Sequence, residues 1–146
     1  NDDESIFLIM IFPKKWDDNE VSELKSYLGR HKKEFTNYWG YVEEETASNG
    51  VRMLVYTNLI VTLDDDGYVF SIGLKPEKLE DEIFSALGGI RPSFSKSQLV
   101  KTLGKDYSKN FIGETETWDW ELDRNSNMKI MFNDDGSIYL IMIYKK

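Results

Sequence analysis

Apolar and polar positions along the chain fall into two blocks of the same design. In Leu59-Ile-Val-Thr-Leu-Asp-Asp-Asp-Gly-Tyr-Val-Phe-Ser-Ile72, apolar residues alternate up to an acidic Asp-Gly turn and resume beyond it. Met128-Lys-Ile-Met-Phe-Asn-Asp-Asp-Gly-Ser-Ile-Tyr-Leu-Ile141 has the same layout. Alternation of period two on either side of a glycine able to take positive φ predicts a β-hairpin in each block. Leu59, Val61 and Leu63 align with Met128, Ile130 and Phe132, and Val69, Phe70 and Ile72 align with Ile138, Tyr139 and Ile141.

A helical stretch precedes each hairpin. Leu24-Lys-Ser-Tyr-Leu-Gly-Arg30 matches Leu99-Val-Lys-Thr-Leu-Gly-Lys105. Leucines four apart share a helix face, and Gly29 and Gly104 suit a helix end. Asp17-Asp-Asn-Glu20 and Ser95-Lys-Ser-Gln98 have the spacing of a capping box. Between the blocks, Pro76–Leu87 followed by Gly88-Gly89 predicts a connecting helix over about 76–87 with Leu79, Ile83 and Leu87 buried. The N-terminus, Asn1-Asp-Asp-Glu-Ser-Ile-Phe-Leu-Ile-Met-Ile-Phe12, matches Asn133–Tyr144 at nine of twelve positions. Ile6–Phe12 therefore reads as a further copy of the closing strand. The expected fold is α+β, a single domain over 1–146. It has an antiparallel sheet with helices packed on one face, two helix-plus-β-hairpin repeats (about 13–74 and 93–146) and an extra N-terminal strand.

Composition narrows the classes. Forty per cent hydrophobic and 14% aromatic residues are enough for a packed core. No apolar run approaches the roughly 20 residues that span a bilayer as a helix. A net charge of −8 disfavours nucleic acid and anionic lipid and favours a cationic protein surface. With no cysteine there is no disulfide, thiolate metal site or cysteine nucleophile. The chain opens on Asn1 rather than Met, so removal of an upstream signal, anchor, membrane helix or tag is expected.

No catalytic set stands out. His31 is the only histidine and lies past the first predicted helix end, where a cation complements the dipole, so a structural or solvent role is expected. Asp64-Asp-Asp-Gly67 and Asn133-Asp-Asp-Gly136 lack the alternating ligands of a calcium loop and read as turns. No cofactor or metal is expected. The residues singled out for partner binding are aromatic and acidic: Trp39, Tyr41, Glu43, Glu44, Glu45, Tyr56, Trp118, Asp119, Trp120 and Glu121. A few large side chains ringed by acids suit an interface hot spot. Packing of Trp118 and Trp120 under the helices as core is the competing reading.

The pattern Ser95, Leu99, Leu103-Gly104-Lys105, then Thr117-Trp118-Asp119-Trp120, Ile130, Phe132 and Asp134-Asp135-Gly136-Ser137-Ile138 resembles the repeat of beta-lactamase inhibitor protein and the SmpA/OmlA envelope lipoproteins. The first block keeps Leu24, Leu28-Gly29, Leu63 and Asp65-Asp66-Gly67 but lacks Trp-x-Trp. The resemblance implies a bacterial binding protein, exported or anchored at the envelope and otherwise cytoplasmic. Its sheet face would grip a toxin or enzyme with a basic surface, as an immunity or inhibitor protein does, without catalysis. A structural envelope or lipoprotein-type interaction domain is the alternative, and a small-molecule carrier the third reading. The near-identical strands at both ends also suggest a homodimer through edge pairing.

Overall fold

A computed structural model describes residues 15–40, 44–48, 51–56 and 59–146, with the backbone alone over 44–48. Helix α1 (Asp18–Lys25) leads into α2 (Lys32–Trp39) and four strands: β1 (Glu44–Ser48), β2 (Val51–Val55), β3 (Leu59–Leu63) and β4 (Val69–Leu74). A linker carries two 3-10 turns, Pro76–Lys78 and Ser85–Leu87. Helix α3 (Lys96–Leu103) follows, then β5 (Ser108–Ile112), β6 (Thr115–Glu121), β7 (Ser126–Phe132) and β8 (Ile138–Lys145). The fold is α+β.

All pairings in the eight-stranded sheet are antiparallel, in the order β1-β2-β3-β4-β8-β7-β6-β5. The two Asp-Gly hairpins form as expected, β3–β4 and β7–β8. They meet at the centre, where Ile72 opposes Ile143 and Gly73 opposes Met142. Each hairpin has a register shift before its turn, at Thr62/Leu63 and at Met131/Phe132.

Period-two alternation sends one set of side chains into a single core. Leu59, Val61, Leu63, Ile72, Leu74, Met128, Ile130, Phe132, Ile141 and Ile143 are buried there. Val21 and Leu24 of α1, Phe35 of α2 and Leu99 of α3 pack into the same cluster. Both capping boxes are formed: Asp17 and Glu20 at α1, and Ser95 and Gln98 at α3, satisfy each other's backbone N–H groups. Loss of either cap costs about 1 kcal/mol.

Three expectations are corrected. The segment 76–87 is not one continuous helix: only its two ends make 3-10 turns, and the backbone between them bonds to residues outside the segment. Trp16 N–H donates to Lys78 O at 2.9 Å, Glu80 N–H donates to Trp16 O at 2.9 Å, and Phe84 N–H donates to Ile90 O at 2.8 Å. Leu79 and Leu87 are buried but Ile83 is half exposed, so no helical stripe exists. His31 has the structural role expected of it, but at the start of a helix rather than past the end of one. It is the N-cap of α2, a helix the sequence pattern did not reveal, and its Nδ1 accepts from Lys33 N–H at 3.2 Å. Finally, β8 is paired on both sides, by β4 and β7, so it offers no edge to another chain. The described edges are β1 and β5. The expected extra strand Ile6–Phe12 lies outside the described residues.

Candidate interaction surface

The sequence-predicted tryptophans face inward. Trp118 and Trp120 sit on the core face of β6 at 7% and 4% exposure. Tyr107 stacks on Trp118 with ring centroids 4.2 Å apart, and Phe132 meets its edge at 5.0 Å. Trp118 Nε1–H donates to Glu116 Oε2 at 2.7 Å, and Lys96 of α3 reaches the same oxygen at 2.9 Å. The Lys96 bond is the chief reason the Glu116 carboxyl is held below the usual range, against the opposing effect of burial. Trp120 Nε1–H donates to Gly104 O at 3.1 Å, just past the end of α3. These two rings bolt α3 to the sheet, and burial takes both out of any contact surface, which corrects the reading of them as partner-binding.

Trp39 and Tyr56 are half buried in a second aromatic group. Trp39 meets Trp16 edge-on at 5.1 Å and Phe35 at 6.2 Å, while Tyr56 packs on Phe35 at 5.7 Å and donates to Gly40 O. Burial raises the Tyr56 phenol above its ordinary pKa. This group braces α2 on β2, which lies five strand spacings from β6 in the sheet, about 24 Å. The two aromatic sets therefore form no common platform. Tyr41 and Glu43 lie outside the described residues. Glu44 and Glu45 begin β1, opposite Val55 and Leu54, with side chains outside the described set.

Asp119 and Glu121 behave differently. Asp119 is on the face opposite the helices, where Tyr144 O–H donates to its Oδ2 at 2.6 Å and Lys129 Nζ stands 3.7 Å away. Its Oδ1 is buried without a partner among the described residues. Burial first, and then the bond to Asp119, raises the Tyr144 phenol well above its ordinary pKa. Glu121 is exposed and pairs with Lys146 at 2.9 Å.

The aromatics that do reach the surface are others. Phe70 and Tyr139 are 47% and 52% exposed, each at its hairpin's register shift and just beyond an acidic turn. Phe70 lies 6.3 Å from the Tyr144 ring. A legible signal existed: Val69-Phe70 and Ile138-Tyr139 are adjacent apolar pairs, which break period-two alternation as a β-bulge does. Each acidic turn is braced by one of its own aspartates, and the first is also tied to α2, where Lys32 N–H donates to Gly67 O at 2.8 Å. Asp64 Oδ1 accepts from the N–H groups of Asp66 and Tyr68, and Asp135 Oδ1 accepts from the Ser137 hydroxyl and then from Ser137 N–H, which together lower the Asp135 pKa. Because β4 and β8 run antiparallel, the two turns lie at opposite ends of the central strand pair. Among the described residues, no group of three or more His, Cys, Asp or Glu is arranged to hold a metal, and no helix is long and apolar enough to cross a membrane.

No protein-family model matches the chain, and no curated protein does. Two solved structures are similar in fold. A DUF4309 family protein (YjgB) from Bacillus subtilis has a TM-score of 0.59 at 14% identity, over 80% of this chain and 78% of that one. An extracellular protein containing a SCP domain from Bacillus anthracis has a TM-score of 0.56 at 9% identity, over 83% of this chain. The chain spans 45% of that second protein's length.

Proposed function

We propose that the chain is a non-enzymatic binding module, and that it holds a protein partner with a basic surface at the Phe70 and Tyr139 ends of its central strand pair. The observation that carries this is the placement of those two half-exposed rings, each beside an acidic Asp-Gly turn. Aromatic side chains supply contact area at low entropic cost, and flanking carboxylates steer a cationic partner. A toxin or enzyme neutralised by this protein is the leading class of partner.

The doubled geometry has a source in a repeat. The module is read as two copies related by an offset of 69 residues and a local twofold axis through the Gly73–Met142 pair. Supporting this are the mirrored strand order, the register shifts at Thr62/Leu63 and Met131/Phe132, and the positive φ at Gly67 and Gly136. The envelope interaction domain is the second reading, favoured by the fold likeness to a protein described as extracellular.

The test is affinity capture from the native organism with wild type beside Phe70→Ala/Tyr139→Ala, read by mass spectrometry. A specific partner retained by wild type and lost in the double variant is expected, with weaker capture at high salt. A partner held equally by both proteins removes this surface from the reading.

A further inference from the structure

Among the described residues, this acidic protein has a markedly basic groove. It lies where the C-terminal end of α1 faces the β6–β7 turn and the end of β8, and its volume is about 780 Å³. Its lining side chains include four cations, Lys25, Arg124, Lys145 and Lys146, against one carboxylate, Asp123. That is a net +3 in a chain of net −8. Ser22, Ser26 and Asn125 add polar groups to the walls. The volume falls in the range of small-molecule sites, roughly 300–1,000 Å³.

The floor of the groove is fixed in advance. Asp123 Oδ1 accepts from Asn125 N–H at 2.9 Å, Ser126 N–H at 2.9 Å and Ser126 Oγ–H at 2.8 Å. Its other oxygen pairs with Lys25 at 2.6 Å, which closes the turn against α1. Lys146 is paired with Glu121 at 2.9 Å. Arg124 and Lys145 have no ion-pair partner among the described residues. Lys145 lies along Gly29, with its Cδ, Cε and Nζ atoms 3.6 Å from where a Cβ on that glycine would stand. Lys25 and Asp123 thus neutralise each other as structure, while Arg124 and Lys145 present charge to the groove.

We infer that this groove binds a small multivalent oxyanion, a molecule bearing two or more phosphate or carboxylate groups, between Arg124 and Lys145. Two charges on separate elements reward a ligand that can answer both at once, and a planar guanidinium favours bidentate oxyanion contacts. The inference does not rest on the function proposed for the surface around Phe70 and Tyr139.

The experiment is calorimetric titration of the whole chain with pyrophosphate and, separately, citrate, at low salt and at 150 mM salt. A saturable one-to-one isotherm is expected, weakening as salt screens the charges. Arg124→Gln/Lys145→Gln should raise Kd about tenfold or more, whereas Lys33→Gln/Lys105→Gln, with the same change in net charge, should leave it unchanged. Backbone amide NMR shifts on titration should cluster at residues 22–29, 123–126 and 145–146, which checks the location without a variant. The inference is overturned by no saturable heat with either probe, by equal losses in the two double variants, or by shifts spread over all exposed lysines. A response to pyrophosphate alone identifies phosphate, and a response to citrate alone identifies carboxylate, as the group the site takes.

Discussion

Lys25 Nζ of α1 stands 2.6 Å from Asp123 Oδ2 in the β6–β7 turn, and this ion pair joins the first helix to the far half of the sheet. Burial alone would raise the Asp123 carboxyl. Hydrogen bonds from Lys25, Ser126 and the Asn125 N–H overcome that and hold it at about 2. A depressed folded-state pKa contributes stability above the unfolded value, about 3.9, and that contribution fades as pH falls towards 2. Asp123 is 40% exposed, so solvent screening reduces the contribution to about 1 kcal/mol. Asp123→Asn is therefore expected to unfold at lower urea concentration than wild type at pH 7. The two midpoints should converge between about pH 4 and pH 2. A gap that persists at pH 2 would assign the loss to something other than the carboxylate's charge.

Gly67 and Gly136 form a matched pair for a second prediction. Both take positive φ, +87° and +88°, in their Asp-Gly turns. A Cβ on Gly136 meets nothing within 4 Å, while one on Gly67 would come 3.2 Å from His31 Nε2. Gly136→Ala carries only the left-handed backbone cost, about 1–2 kcal/mol. Gly67→Ala carries that cost and presses on the residue that caps α2. It should be the more destabilising of the two by thermal melting, and His31→Ala in the Gly67→Ala background should narrow the difference.

These turns also show what a sequence can carry. The Asp-Gly hairpins and both capping boxes were legible because each is a local arrangement, decided by residues within about four positions of one another. Segment 76–87 was not, because Pro76, its acids and Gly88 signal a helix while the decisive bonds go to Trp16, about 60 residues away. Helix α2 was hidden because its N-cap is a histidine, a residue that does not announce a helix start as Asp17 and Ser95 do. At the candidate surface, Trp-x-Trp told that two rings share a strand face but not which face the helices cover. Coverage is a tertiary fact, and it turned Trp118 and Trp120 inward.

Tyr144 ties that opposite face together, and its phenol resists ionisation. With a folded pKa raised above the unfolded value of about 10, the neutral phenol contributes stability below pH 10, and this is lost as pH rises towards the folded value. Tyr144→Phe removes the donor to Asp119 and leaves its carboxylate with Lys129 at 3.7 Å among the described residues. The expected loss is about 1–3 kcal/mol at neutral pH, as for a hydrogen bond to a charged group. Urea titrations between pH 8 and 11 should show wild type losing stability more steeply than the variant. Parallel slopes would mean that Tyr144 ionises as freely in the folded chain as in the unfolded one.

Trp118 and Phe70 separate fold from function. Trp118 is closed in by Tyr107, Phe132 and the Lys96–Glu116 pair, so Trp118→Ala opens a cavity and removes one donor to the Glu116 carboxylate, which keeps Lys96 at 2.9 Å. A loss of about 3–5 kcal/mol is expected, enough to unfold a marginal domain. Phe70→Ala removes a half-exposed ring whose main neighbour is Tyr144, and should cost less than about 1 kcal/mol. If Phe70 is a contact anchor, its truncation should weaken partner capture while the melting curve barely moves. Lys96→Met supplies a control inside the Trp118 group: it should lower stability, steepest above the Glu116 pKa where the carboxylate is charged, and leave capture by the folded fraction intact. A Trp118→Ala protein that melts like wild type but fails to capture the partner would return that ring to the surface and reverse the assignment made here.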